Sequence, residues 1–168
     1  MQTTHQQPHD QAQAPTAGEW YERGLALRKA GLFNKAIEQF QKAGENPAYQ
    51  LKSYAQIALG YKSANRYEDA VNAFRIALAS SPTTSKETVQ ILYVMGRTLE
   101  SLGRISETLE AYRWIRREDA NYRDVASRIE NLSSRRATAA SRKPSTPEGS
   151  SWVNNVLKNW HGLLKNSE

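Results

Sequence analysis

A spacing of 34 residues constrains this chain more than any other feature. Laying residues 19–48 over residues 53–82 places Trp20 on Tyr54, Gly24 on Ala58, Leu27 on Tyr61, Gly31 on Asn65 and Phe33 on Tyr67. It then places Ala36 on Ala70, Ile37 on Val71, Phe40 on Phe74 and Ala43 on Ala77. Size and polarity recur together, as they do when repeated units bury their apolar faces only against one another. At a lag of 38 a third copy follows, with Leu92, Gly96, Leu99, Gly103, Ile105, Thr108, Leu109, Tyr112 and Ile115 in the same places. Its extra four residues fall in or near residues 80–85, a Ser-, Thr- and Pro-rich stretch that absorbs an insertion in a turn.

Within each copy the apolar residues keep helical spacing and break once in the middle, so each copy reads as a helical hairpin. The chain is therefore predicted to be all-α. Helices are expected over 18–30, 33–44, 48–63, 67–79, 85–102, 105–117 and 122–132. Gly24, Ala58 and Gly96 are expected to let paired helices approach closely, so that Gly24→Leu overpacks and Gly24→Ala is mild. Trp20, Tyr54, Phe40, Phe74 and Tyr112 are expected to fill the space between hairpins. Asn65 with Glu68, and Thr84 with Glu87, have the form of capping boxes that start helices. Pro47 and Pro82 suit a first turn or the turn before it. Tyr122, Val125, Ala126, Ile129 and Leu132 form one more stripe, with Arg123, Asp124, Arg128 and Glu130 outside it. This is the helix expected to cap the stack.

The order of aromatic, Gly or Ala, large apolar residue, loop Gly or Asn, aromatic, Ala, aromatic and Ala resembles the tetratricopeptide repeat family, whose period is also 34 residues. In the first copy the matching residues are Trp20, Gly24, Leu27, Gly31, Phe33, Ala36, Phe40 and Ala43; the second also has Pro82 where the family favours proline. Pro47 stands one place early, and Thr108 and Ile115 replace the usual alanines of the third copy. The resemblance spans about residues 17–118. It implies a tetratricopeptide-like helical-hairpin solenoid with a capping helix, the first helix of each hairpin lining a concave groove.

In that register the groove carries Tyr21, Leu25, Arg28 and Lys29 from the first repeat. Lys52, Ala55, Leu59 and Lys62 follow from the second, then Gln90, Tyr93, Arg97 and Glu100 from the third. Bases interleaved with Tyr and Leu suit an acidic peptide segment with an apolar anchor. Some members of the family hold a partner's terminal carboxylate with lysines, asparagines and an arginine. The corresponding places here are Tyr21, Leu25, Gln56, Gln90 and Val94, so that clamp is absent.

Other chemistries lack the residues they need. There is no cysteine, which excludes disulfides and thiolate metal sites. His5, His9 and His161 lie outside the repeats and form no metal-ligand spacing, so neither a metal nor another cofactor is expected. Glu68 with Asp69, and Glu107 with Glu110, read as surface charges of hairpins rather than catalytic pairs. The formal net charge is +6, and it divides as −1 over residues 1–18, +3 over 19–132 and +4 over 133–168. The repeats thus carry a mixed surface, and a protein partner is favoured over nucleic acid. With neither a signal-like amino terminus nor a spanning apolar run, a cytoplasmic chain is expected.

Four segments result: a disordered N-terminal tail (1–18), three hairpins plus the cap (19–132), a flexible basic linker (133–150) and an amphipathic helix (151–168). In the last, Trp152, Val156, Leu157, Trp160, Leu163 and Leu164 share a face. It suits docking on a partner, on this chain's own repeats or on a membrane surface. The functional expectation is a non-enzymatic scaffold or adaptor for protein–protein interaction. Peripheral membrane or nucleic-acid attachment through the basic tail is the alternative.

Overall fold

A computed structural model describes residues 14–80 and 84–140, with side chains to residue 138. Among the described residues there are seven helices and no strand. They are α1 (Ala17–Lys29), α2 (Phe33–Gly44), α3 (Pro47–Ser63), α4 (Tyr67–Ala79), α5 (Ser85–Ser101), α6 (Ile105–Glu118) and α7 (Val125–Ala140). Each helix touches the next in sequence, and α1 also touches α3. Three hairpins therefore stack in chain order, with α7 closing the end, and the boundaries of α1 to α6 match the sequence-based expectation within one residue.

The mid-hairpin turns share one geometry. Gly31, Asn65 and Gly103 all adopt left-handed backbone, with φ of 78°, 59° and 72°. The next residue's N–H then reaches back to the helix: Leu32 donates to the Leu27 carbonyl (2.9 Å), Arg66 to Tyr61 (2.8 Å) and Arg104 to Leu99 (3.0 Å). This is the hydrogen bond that ends a helix when a residue with little steric cost in that conformation follows it. Asn65 accordingly terminates α3, correcting its expected role as the start of α4. Its side chain accepts from the Tyr67 hydroxyl, and Arg66 stands at the α4 cap without a side-chain bond.

Other caps follow their chemistry. Thr84 and Glu87 form both arms of a capping box, and Thr16 with Glu19 forms another that the sequence reading missed. Pro47 is the first residue of α3, behind an Asn46 side chain that accepts from Ala48. Pro82 lies outside the described residues. The four-residue insertion lies in the connection between Ala79 and Ser85, leaving α3 and α5 at 17 residues each.

The core runs continuously through the hairpins. Phe40, Phe74 and Tyr112 are buried, as are Ala36, Ala43, Ala58, Ala70 and Ala77. Phe40 and Tyr112 do not simply fill space between hairpins. Each ring lies against the glycine of its own hairpin, Gly24 and Gly96 respectively. Trp20 and Tyr54 are only half-buried, and Arg23 and Lys42 lie over the Trp20 ring. The substitution of Thr108 for alanine is accommodated because its buried hydroxyl donates to the Arg104 carbonyl one turn back (2.9 Å).

The capping helix differs most from expectation. It begins at Val125 rather than 122 and continues to Ala140, eight residues beyond 132. At its start, Arg123 takes a φ of 47°, which a helix interior does not tolerate. Beyond 132, Ser133 to Ala140 contain no Gly or Pro and include several strong helix formers, so nothing stops the helix. Val125, Ile129 and Leu132 bury its inner face, whereas Ala126 is exposed.

Candidate protein-binding groove

The face shared by α1 and α3 is organised around Tyr21. Its ring contacts Phe40 at 5.5 Å and Tyr49 edge-on at 5.8 Å between centroids. The Gln56 amide donates to its hydroxyl at 3.5 Å. Burial holds the Tyr21 phenol above its usual range. The Lys52 ammonium stands 3.5 Å from the Tyr49 ring centre and 5.0 Å from that of Tyr21, within cation–π reach of both. Tyr21 and Lys52 are thus brought together through Tyr49, which the sequence reading had not singled out.

Leu25, Ala55 and Leu59 are each half-buried and packed against the core. Arg28 is half-buried, and its Nε has no acceptor among the described residues. Lys29 and Arg97 are exposed, and Lys62 is half-buried. None of Arg28, Lys29, Lys52, Lys62 and Arg97 forms an ion pair among the described residues. Carbon surface and bases outside any ion pair among the described residues thus alternate along these helices.

At the other end the third hairpin is engaged by the cap. Tyr93 is only 8% exposed. Its ring meets Tyr112 and Tyr122, with the Arg123 guanidinium 4.7 Å from its centre. Its hydroxyl donates to Asp124 Oδ1 at 2.9 Å. Arg128 donates to Asp124 Oδ2 (2.8 Å) and to Glu100 Oε2 (2.9 Å), and the Tyr112 hydroxyl also donates to Glu100 (3.2 Å). The Arg128 hydrogen bond, joined by the one from Tyr93, depresses the Asp124 carboxyl. Burial first, then the Glu100 charge, raises the Tyr112 phenol. Arg123, Asp124 and Arg128, read from sequence as residues outside the cap's contact face, are instead its polar fasteners to α5. The one sequence signal for this was the four-residue spacing of Asp124 and Arg128.

This arrangement is that of a known solved fold. The chain is similar to the Sgt2 TPR domain from Aspergillus fumigatus, with a TM-score of 0.55 and 20% sequence identity, covering 86% of this chain and 94% of that one. The chain has a tetratricopeptide-like fold. No family model and no curated protein matches it. In this tetratricopeptide-like stack Glu68, Asp69 and Glu107, three of the four carboxylates weighed above as pairs, are held by arginines. Glu107 binds Arg75 (2.7 Å) and Arg104 (2.6 Å), Glu68 binds Arg104 (2.7 Å), and Asp69 binds Arg66 (2.8 Å). The pairs Arg75 with Glu107 and Glu68 with Arg104 tie α4 to the start of α6. Among the described residues no three His, Cys, Asp or Glu side chains gather as metal ligands, and no helix is long and apolar enough to cross a membrane. Trp152, Val156, Leu157, Trp160, Leu163 and Leu164 lie outside the described residues.

Proposed function

We propose that this chain is a non-enzymatic protein-binding scaffold whose groove along α1 and α3 takes an acidic segment of a partner, anchored by an apolar side chain. The observation that carries this reading is that Arg28, Lys29, Lys52, Lys62 and Arg97, spread along α1, α3 and α5, form no ion pair among the described residues, with the Lys52 ammonium standing over the Tyr21 and Tyr49 rings. Glu100, the acid expected in the same groove, is bonded to Arg128. Bases steer an acidic chain and the tyrosine and leucine surfaces give it area to desolvate. Tyr93, buried under the cap, supports the groove rather than lining it.

The basic tail serves a different purpose in this reading. Residues 133–168 carry a net charge of +4, the same sign as the groove, so the C-terminal segment is a second attachment point rather than the groove's own occupant. Trp152 and Trp160 supply its apolar contact, on a partner or at a membrane surface.

The test compares partners cross-linked to the full chain with those of Lys52→Glu with Lys62→Glu and of Trp152→Ala with Trp160→Ala. The groove variant loses an acidic partner and keeps its helical circular dichroism. An unchanged partner set in that variant defeats the groove reading. Strongly salt-dependent affinity for random RNA, retained after removal of residues 141–168, replaces it with nucleic-acid binding. Sedimentation of the full chain with anionic liposomes, abolished in the tryptophan variant, assigns the tail to membranes.

A further inference from the structure

The three hairpin turns share a backbone but not a surface. At the place after the left-handed residue stand Leu32, Arg66 and Arg104, and three residues later Lys35, Asp69 and Glu107. In the second and third hairpins these places form ion pairs, Arg66 with Asp69 at 2.8 Å and Arg104 with Glu107 at 2.6 Å. The Arg66 guanidinium also folds over the Tyr61 ring at 4.5 Å. Glu68 then reaches Arg104 at 2.7 Å, binding the second turn to the third. Charge and carbon thus close the ends of those two hairpins.

The first turn has neither closure. Leu32 replaces the arginine and is 47% exposed, and Lys35 puts a base where the others place an acid. Asn34, in the place of Glu68, has no charge to offer the second turn. A hollow of about 350 Å³ lies here, lined by Gly31, Leu32, Phe33, Asn34, Lys35 and Ala64 and mainly by apolar atoms. Lys35, in its lining, and Lys29, two residues before Gly31 in the chain, are exposed and form no ion pair among the described residues.

From this we infer that the open end of the first hairpin is a second docking surface, taking an apolar side chain of a partner protein that carries carboxylates next to it. The apolar hollow receives the side chain, as buried anchors do at interfaces. Lys29 and Lys35 set the sign of the flanking residues. An incoming acid meets a helix start whose first turn holds no acid of its own, and negative charge is favoured there. The chain's own C-terminal segment fits less well, since residues 151–168 carry Lys158 and Lys165 against Glu168 alone.

The probe is a short synthetic peptide with a central leucine flanked by aspartates, titrated into the ¹⁵N-labelled full chain and followed by amide shifts. Its counterpart carries lysines in place of the aspartates. Saturable shifts are expected at Gly31 to Lys35 and Ala64 with the aspartate peptide alone. In Leu32→Arg with Lys35→Asp, which rebuilds the pair of the other hairpins, affinity falls about tenfold or more, while Tm holds or rises. Shifts confined to Leu25, Lys52 and Lys62 overturn this inference and leave the groove reading intact. Equal binding by the double variant, or by the lysine peptide, also overturns it. So do shifts at these amides that appear on dilution of the protein or on deletion of residues 151–168, because a second copy or the chain's own tail is then the occupant.

Discussion

The Phe40 ring occupies the space that any side chain at position 24 needs: a Cβ built on Gly24 falls 2.5 Å from Phe40 Cε1. Tyr112 stands in the same relation to Gly96, at 2.5 Å from Cε1. Phe40 and Tyr112 are both fully buried, so neither ring has free space to retreat into. Gly24→Ala and Gly96→Ala are each expected to cost about 1–3 kcal/mol, and Gly24→Leu more. This revises the sequence-based expectation that alanine is mild at position 24. Urea midpoints for the three variants check it; wild-type stability in both alanine variants would show that the rings give way.

The left-handed turn residues make a second comparison. Gly103→Ala places a Cβ on backbone with φ of 72° and is expected to destabilise by about 1 kcal/mol. Asn65→Gly, at the equivalent turn, relieves that strain but gives up the contact with the Tyr67 hydroxyl and is expected to be near neutral. Thermal unfolding of the two variants in parallel decides it, and a larger loss for Asn65→Gly would put the side-chain contact ahead of the backbone.

Ser53 is fully buried in α3, and its hydroxyl has no hydrogen-bond partner among the described residues. Thr88, Thr98 and Thr108, buried alike, donate to carbonyls one turn back. Removing an unsatisfied hydroxyl removes its desolvation cost. Ser53→Ala is expected to stabilise by up to about 1 kcal/mol with no change in the denaturant slope. A lower midpoint would reveal a bond that the hydroxyl makes.

The cap's attachment is pH-dependent through Asp124. Its folded-state pKa is depressed, chiefly by the Arg128 hydrogen bond, so below neutral pH the unfolded chain takes up this proton first. The contribution is fully present above the unfolded value of about 3.9 and is lost as pH falls through the lower folded value. Because the carboxylate side chain is 45% exposed, the effect is expected to stay below about 1 kcal/mol. Asp124→Asn should flatten the acid limb of the stability profile and leave hydrogen exchange in α1 unchanged. An acid limb identical to wild type would mean that Asp124 does not fasten α7.

Much of this architecture was legible because helical periodicity is local. The spacing of Trp20, Gly24 and Leu27, then Phe33, Ile37 and Phe40, sets two helices and their turn without reference to the rest of the chain. The α7 boundary was less legible, since its start depends on the conformation of Arg123 and its extension on the absence of a stop before Pro144. Candidate site residues were legible by position and not by environment. Tyr21 and Tyr93 occupy equivalent places, yet one is half-exposed and the other covered by Tyr122, Arg123 and Asp124.

By itself the sequence determined the hairpin count, the helix limits of the three repeats and the small-residue places, because helix limits follow from residues within one or two turns and the same local pattern returns from copy to copy. Only the tertiary structure decided that the glycines meet rings of their own hairpins, that Arg128 joins Asp124 to Glu100, and that the first turn is left open while the other two are closed. Gly24 with Phe40, Glu100 with Arg128 and Glu68 with Arg104 are side chains or backbone more than a dozen residues apart that share one volume or one charge, and chain order does not encode which distant partner occupies that space.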